Sequence, residues 1–99
     1  MIFKIRLQTG FFRTQLYYIT IAHGQIVLTP QEINLNQKLV ISEGDLQSVS
    51  IMRRDLLAVG FEIITRNGLY TGSFTEEIEL EKLSRVLAEQ FGYKFILQN

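Results

Sequence analysis

Apolar residues recur at every second position through most of this chain, and at helical spacing only once, near its C-terminus. Phe3, Ile5 and Leu7 alternate with Lys4, Arg6 and Gln8, the two-residue period of a strand with one face in a core. Gly10 breaks that run before Phe11 and Phe12. Arg13–Ala22 follows, rich in the Tyr, Ile and Thr that suit a pleated, half-buried surface. His23-Gly24 reads as a tight turn and Gln25–Thr29 as its antiparallel return, ended by Pro30.

Residues 31–37 read as a polar connecting loop with two apolar anchors, Ile33 and Leu35. Lys38–Ser42 is a short strand. Glu43-Gly44-Asp45 is a turn to which Gly44 brings a positive φ. Leu46–Met52 places Val49 and Ile51 on one face and Ser48 and Ser50 on the other, and Arg53-Arg54-Asp55 makes the next polar turn. Leu57, Val59, Phe61 and Ile63 alternate along the following strand. Arg66-Asn67-Gly68 is the strongest hairpin signal, since Asn-Gly suits a type I′ turn, and Leu69–Phe74 completes that hairpin.

A helix is expected over residues 76–91. Thr75 is its N-cap, and Glu76, Glu77 and Glu79 set negative charge at the positive end of its dipole. Leu80, Leu83, Leu87 and Phe91 share one face with Val86 at its edge, Glu81 and Arg85 form an i,i+4 pair, and Gly92 stands at the C-cap. The tail Tyr93–Gln98 either extends the helix packing or adds an edge strand. This order predicts a mainly β (α+β) fold: a β-roll or barrel of about seven antiparallel strands capped by one C-terminal helix, in one domain over residues 1–99.

Ninety-nine residues suit one core, and 46% hydrophobic against 20% charged residues is too apolar a balance for disorder. Ten basic and ten acidic residues cancel, so no global field draws the chain to nucleic acid or an anionic membrane, and any such binding is local. The absence of cysteine removes disulfides, thiolate metal sites and cysteine nucleophiles, and favours the cytoplasm. Met1–Gln8 alternates apolar and polar residues, unlike a secretory signal, and no apolar run nears the roughly 20 residues of a membrane span.

Two stretches, LVISEGDLQSVSIMRR and FEIITRNGLYTGSFTEEIELEKLSRVLAEQFG, set a strand-turn-strand and then a tight hairpin running into the terminal helix. In this the chain resembles the pleckstrin-homology superfold, in particular small bacterial PH-like and GRAM-like domains. The resemblance implies a strongly bent sheet closed by the helix, with lipids, peptides or further PH-like domains as partners. It also implies a headgroup site: Lys4, Arg6 and Arg13 flank the loop from Gln8 to Phe12, as basic residues on the first two strands surround phosphates in that family. Gln15 stands where the family pattern has its second basic residue on strand two. Phe11 and Phe12 beside these charges are an apolar patch if exposed, and at least one of them is expected in the core, because large aromatics are mostly buried.

No set of residues has the spacing of a known chemistry. His23 is the only histidine, and it has no partner ligands at metal-binding spacing. The serines form no nucleophile elbow, and the seven glycines are scattered singly, so there is no phosphate loop. No catalysis, cofactor or metal is expected, and no basic stripe interleaved with aromatics speaks for nucleic acid. The first reading is therefore a non-catalytic module that contacts a protein partner or a second copy of itself as a homo-oligomer. The alternative is a peripheral domain that binds anionic lipid through Lys4, Arg6, Phe11, Phe12 and Arg13.

Overall fold

The computed structural model describes residues 1–32, 38–54 and 58–98. The expected loop from residue 33 onward, Asp55 of the expected turn and Leu57 of the expected alternation lie outside these residues. In chain order the elements are β1 (Ile2–Gly10), β2 (Arg13–Ala22), β3 (Gln25–Pro30), β4 (Leu39–Ser42), β5 (Leu46–Arg53), β6 (Val59–Thr65), β7 (Gly68–Phe74), α1 (Leu80–Phe91), a 3-10 turn (Gly92–Lys94) and β8 (Phe95–Gln98). The strands form one sheet in the order β4-β3-β2-β1-β7-β6-β5-β8, curled into a half-barrel.

The alternation in the sequence is the alternation in space. Ile5, Leu7, Tyr17, Ile19 and Ile21 face inward from β1 and β2, while Val49, Ile51, Phe61 and Ile63 do so from β5 and β6. Leu83, Leu87 and Phe91 of α1 complete the same cluster. Ser50, on the face of its strand opposite Val49 and Ile51, is also buried, flanked in the ladder by Glu62 and Ile96.

The described residues form eight strands because the tail becomes an edge strand. β8 runs parallel to β5, the one parallel pairing in the sheet among the described residues. Lys94 shows why. Its Nζ donates to Glu43 O at 2.7 Å beside the start of β5, so the chain leaves the helix at the end from which β5 also departs.

The helix begins later than its charge pattern suggests, at Leu80 with Glu79 as N-cap and no side-chain capping bond. Residues 75 and 76 are held by β1 instead. Thr75 N–H donates to Lys4 O at 3.1 Å, and Lys4 N–H donates to Glu76 Oε1 at 3.0 Å. Thr75 is therefore not the cap. The Glu81–Arg85 pair is present at 3.8 Å with both side chains largely in solvent, a contribution of a few tenths of a kcal/mol. Gly92 has the expected positive φ, 56°, and its N–H donates to Ala88 O.

Asn67-Gly68 does not form a type I′ turn. Thr65 pairs with Gly68, so Arg66 and Asn67 are the central residues, and neither has positive φ. The buried Thr65 hydroxyl closes this turn, donating to Gly68 O at 3.0 Å and accepting Asn67 N–H at 3.2 Å. The I′ signature falls on His23 and Gly24, φ 54° and 70°, between paired Ala22 and Gln25. Gln90 Oε1 accepts Gly24 N–H at 2.6 Å and ties this turn to the helix. Gly44 has no positive φ either; that turn is closed by Asp45 N–H to Ser42 O and Leu46 N–H to Glu43 O.

Within α1 the Ser84 Oγ is buried without a hydrogen-bond partner. Replacing Ser84 with alanine removes that unpaired group and raises helix propensity, so stability should rise by about 1 kcal/mol in urea denaturation. A lower midpoint for this variant would show the hydroxyl to be satisfied in solution. No helix among the described residues is long and apolar enough to cross a membrane.

Candidate functional site

β1 and β2 run on past the core. β7 pairs with β1 only over Ile5–Leu7, and β3 pairs with β2 only over Tyr17–Ala22. Beyond Leu7 and Tyr17 the ladder pairing of the two strands is, among the described residues, with each other, and Gln31 steadies their base through its N–H to Leu16 O at 3.1 Å. Arg13 through Leu16 are all exposed. The result is a two-stranded ribbon that projects from the sheet, with Gly10 paired to Arg13 and Phe11 and Phe12 as the turn.

Both phenylalanines are in solvent, 87% and 92% exposed, which overturns the expectation that one of them enters the core. The reason is reach: the last buried residues of β1 and β2 on the way to the tip, Leu7 and Tyr17, lie well below it, so among the described residues no core extends under the rings. The rings meet edge to face with centroids 4.8 Å apart. The Gln8 side chain organises the turn beneath them, its Nε2 donating to Gly10 O at 2.8 Å and Phe11 O at 3.3 Å. A surface that buried both rings would gain on the order of 3–6 kcal/mol.

The three basic residues do not converge. Lys4 and Arg6 are exposed on the outward face of β1, but Lys4 lies six residues from Gly10, on the order of 20 Å at the strand rise. Lys4 borders a different hollow, with Ile2, Phe3, Tyr18 and Glu76. Arg13 has the alternation parity of Tyr17, the inward side, and lies beside Gly10 at the tip. The site thus consists of the aromatic tip with Arg13, and of Arg6 further down the outer wall.

His23 sits exposed in its turn, and among the described residues no group of three or more His, Cys, Asp or Glu side chains gathers to hold a metal. The open edges of the sheet are a further surface: Val40 on β4 and Ile96 and Leu97 on β8 are between 43% and 49% exposed. Edges of this kind accept another strand unless covered or charged. No protein-family model matches the chain, and no curated protein matches it in sequence.

Proposed function

We propose that the protein is a non-catalytic, pleckstrin-homology-like interaction module that docks its projecting β1–β2 hairpin onto a protein surface, a second copy of the chain being the first partner to test. The observation that carries this reading is the aromatic tip: two rings almost wholly in solvent at the end of a two-stranded ribbon. Exposed apolar groups placed together in this way lower the free energy of a complex more than that of the free chain. The PH-like part of the reading is supported by the meander from β1 to β7, the return of β7 to pair with β1, and the helix that follows β7 and covers the concave side. The edges at β4 and β8 offer a symmetric contact a second place to form.

A second reading, binding to an anionic membrane surface, is favoured by Arg13 beside the same rings and by the outward Arg6. Each basic residue near such a surface adds on the order of 1 kcal/mol, so this binding is weak and falls with salt. One double variant, Phe11→Ser with Phe12→Ser, separates the readings. Light scattering after size exclusion should find wild type as a dimer or larger at micromolar concentration and the double variant as a monomer. A strictly monomeric wild type over a wide concentration range removes self-association. Wild type that pellets with anionic vesicles but not with neutral ones, while the double variant stays in solution, selects the membrane reading.

A further inference from the structure

Arg6 and Arg54, far apart in sequence, come together on the outer wall of the sheet. At this level the ladder runs Met52, Gly60, Ser73, Arg6 and Leu16, each paired with the next. Arg54 follows the end of β5, its N–H donating to Ala58 O at 2.9 Å. Its guanidinium lies over Gly60, where a Cβ would stand 2.7 Å from Arg54 Nε. The missing side chain at Gly60 is what lets Arg54 lean across β6 toward β7 and β1. There it shares a notch of about 110 Å³ with Arg6, Gln8, Thr14, Thr71 and Ser73.

Two like charges thus border one small hollow, and no acidic side chain is among the described residues that line it. The ion pairs among the described residues lie elsewhere, Glu81 with Arg85 and Glu43 with Lys94. Among the described residues the nearest acid by register is Glu62, the half-buried partner of Thr71 on β6. The hydroxyls of Thr14, Thr71 and Ser73 surround the charges, while Gln8 already spends its amide N–H donors on the tip carbonyls.

We propose that this notch binds one phosphoryl group, as inorganic phosphate or a phosphomonoester, held between Arg6 and Arg54 with hydrogen bonds from Thr71 and Ser73. Two guanidinium forks match a tetrahedral dianion in charge and geometry. The hollow has room for one such group and not for a nucleoside beside it. Lys4 and Arg13 take no part, and the site does not depend on what the aromatic tip docks against.

The test is a two-dimensional amide NMR titration with inorganic phosphate at fixed ionic strength, with chloride as the parallel titrant. Saturable shifts at Arg6, Thr71 and Ser73 are expected with phosphate alone. Arg6→Gln and Arg54→Gln should each weaken binding about tenfold, the loss of one charge-assisted contact. Arg53→Gln, which borders a separate groove with Glu79 and Arg85, should leave it unchanged, and Glu62→Gln should strengthen it. Both arginines are exposed, so either variant serves should the other prove unstable. A second arm uses phosphatidylcholine vesicles with and without phosphatidic acid. Retention that needs phosphatidic acid and is lost in Arg54→Gln assigns a lipid headgroup as the source, whereas phosphate binding without retention assigns a soluble phosphate ester. Shifts that fail to saturate, or equal affinity in wild type and both arginine variants, would overturn the site.

Discussion

Alanine at Gly72 is expected to lower stability by at least about 3 kcal/mol, enough to unfold a domain of this size in mild denaturant. Gly72 lies on β7 between Leu7 of β1 and Phe61 of β6. A Cβ there would run into the Arg6 carbonyl oxygen and come within 2.7 Å of Phe61 Cζ. Neither neighbour has room to yield. The carbonyl is main chain of β1, and Phe61 is 1% exposed with its ring against Phe74, which in turn meets Phe3. The methyl must therefore part β1 from β7, and that seam consists of three residue pairs joining the two halves of the sheet. Gly68→Ala is the matched control, since its Cβ would meet Tyr70 Oη at 3.8 Å and Tyr70 Cζ at 4.0 Å, ordinary contacts; a change within about 0.5 kcal/mol is expected. Urea denaturation of both variants decides the matter, and a Gly72→Ala protein as stable as wild type would disprove the close approach.

Leu83→Ala and Leu87→Ala should each cost about 2–5 kcal/mol, the range for a leucine removed from a closed core. The two side chains are 0% and 1% exposed and join Phe91 in the cluster that includes strands from both halves of the sheet. Losing either leaves a cavity that the curved sheet cannot close without shifting β2, which α1 also holds through Gln90 and the His23-Gly24 turn. Leu80, only partly buried, should cost less when changed to alanine. Equal midpoints for wild type and both core variants in chemical denaturation would remove α1 from the core.

The strands were legible because each buries one face, and a two-residue period follows directly from that. The helix stripe was legible for the same kind of reason, and Leu83, Leu87 and Phe91 are where the spacing puts them. Helix start and turn type were not. Thr75 and Glu76 look like a helix start, yet their bonds go to Lys4, a partner distant in sequence. Asn-Gly has the stronger local preference for a type I′ turn, yet the Thr65 to Gly68 register moves the turn back by one residue. The type I′ turn falls instead on His23-Gly24, where histidine, one of the few non-glycine residues that tolerate positive φ, takes 54°.

At the candidate site the residue types are readable in the chain alone: two adjacent phenylalanines after a glycine, with arginine next to them and basic residues alternating on the first strand. Whether those rings are buried is a matter of the assembled sheet, which decided it, because exposure depends on how far β7 and β3 run alongside β1 and β2. It also decided which charges meet. Lys4, Arg6 and Arg13 are close in the chain but are separated by strand rise and alternation, whereas Arg54 borders the same hollow as Arg6 because three ladder registers and the bare backbone of Gly60 bring it to that wall. Alternation and spacing are local, and one segment suffices to express them. Exposure and convergence are properties of which strands are neighbours, and they exist only once the sheet is assembled.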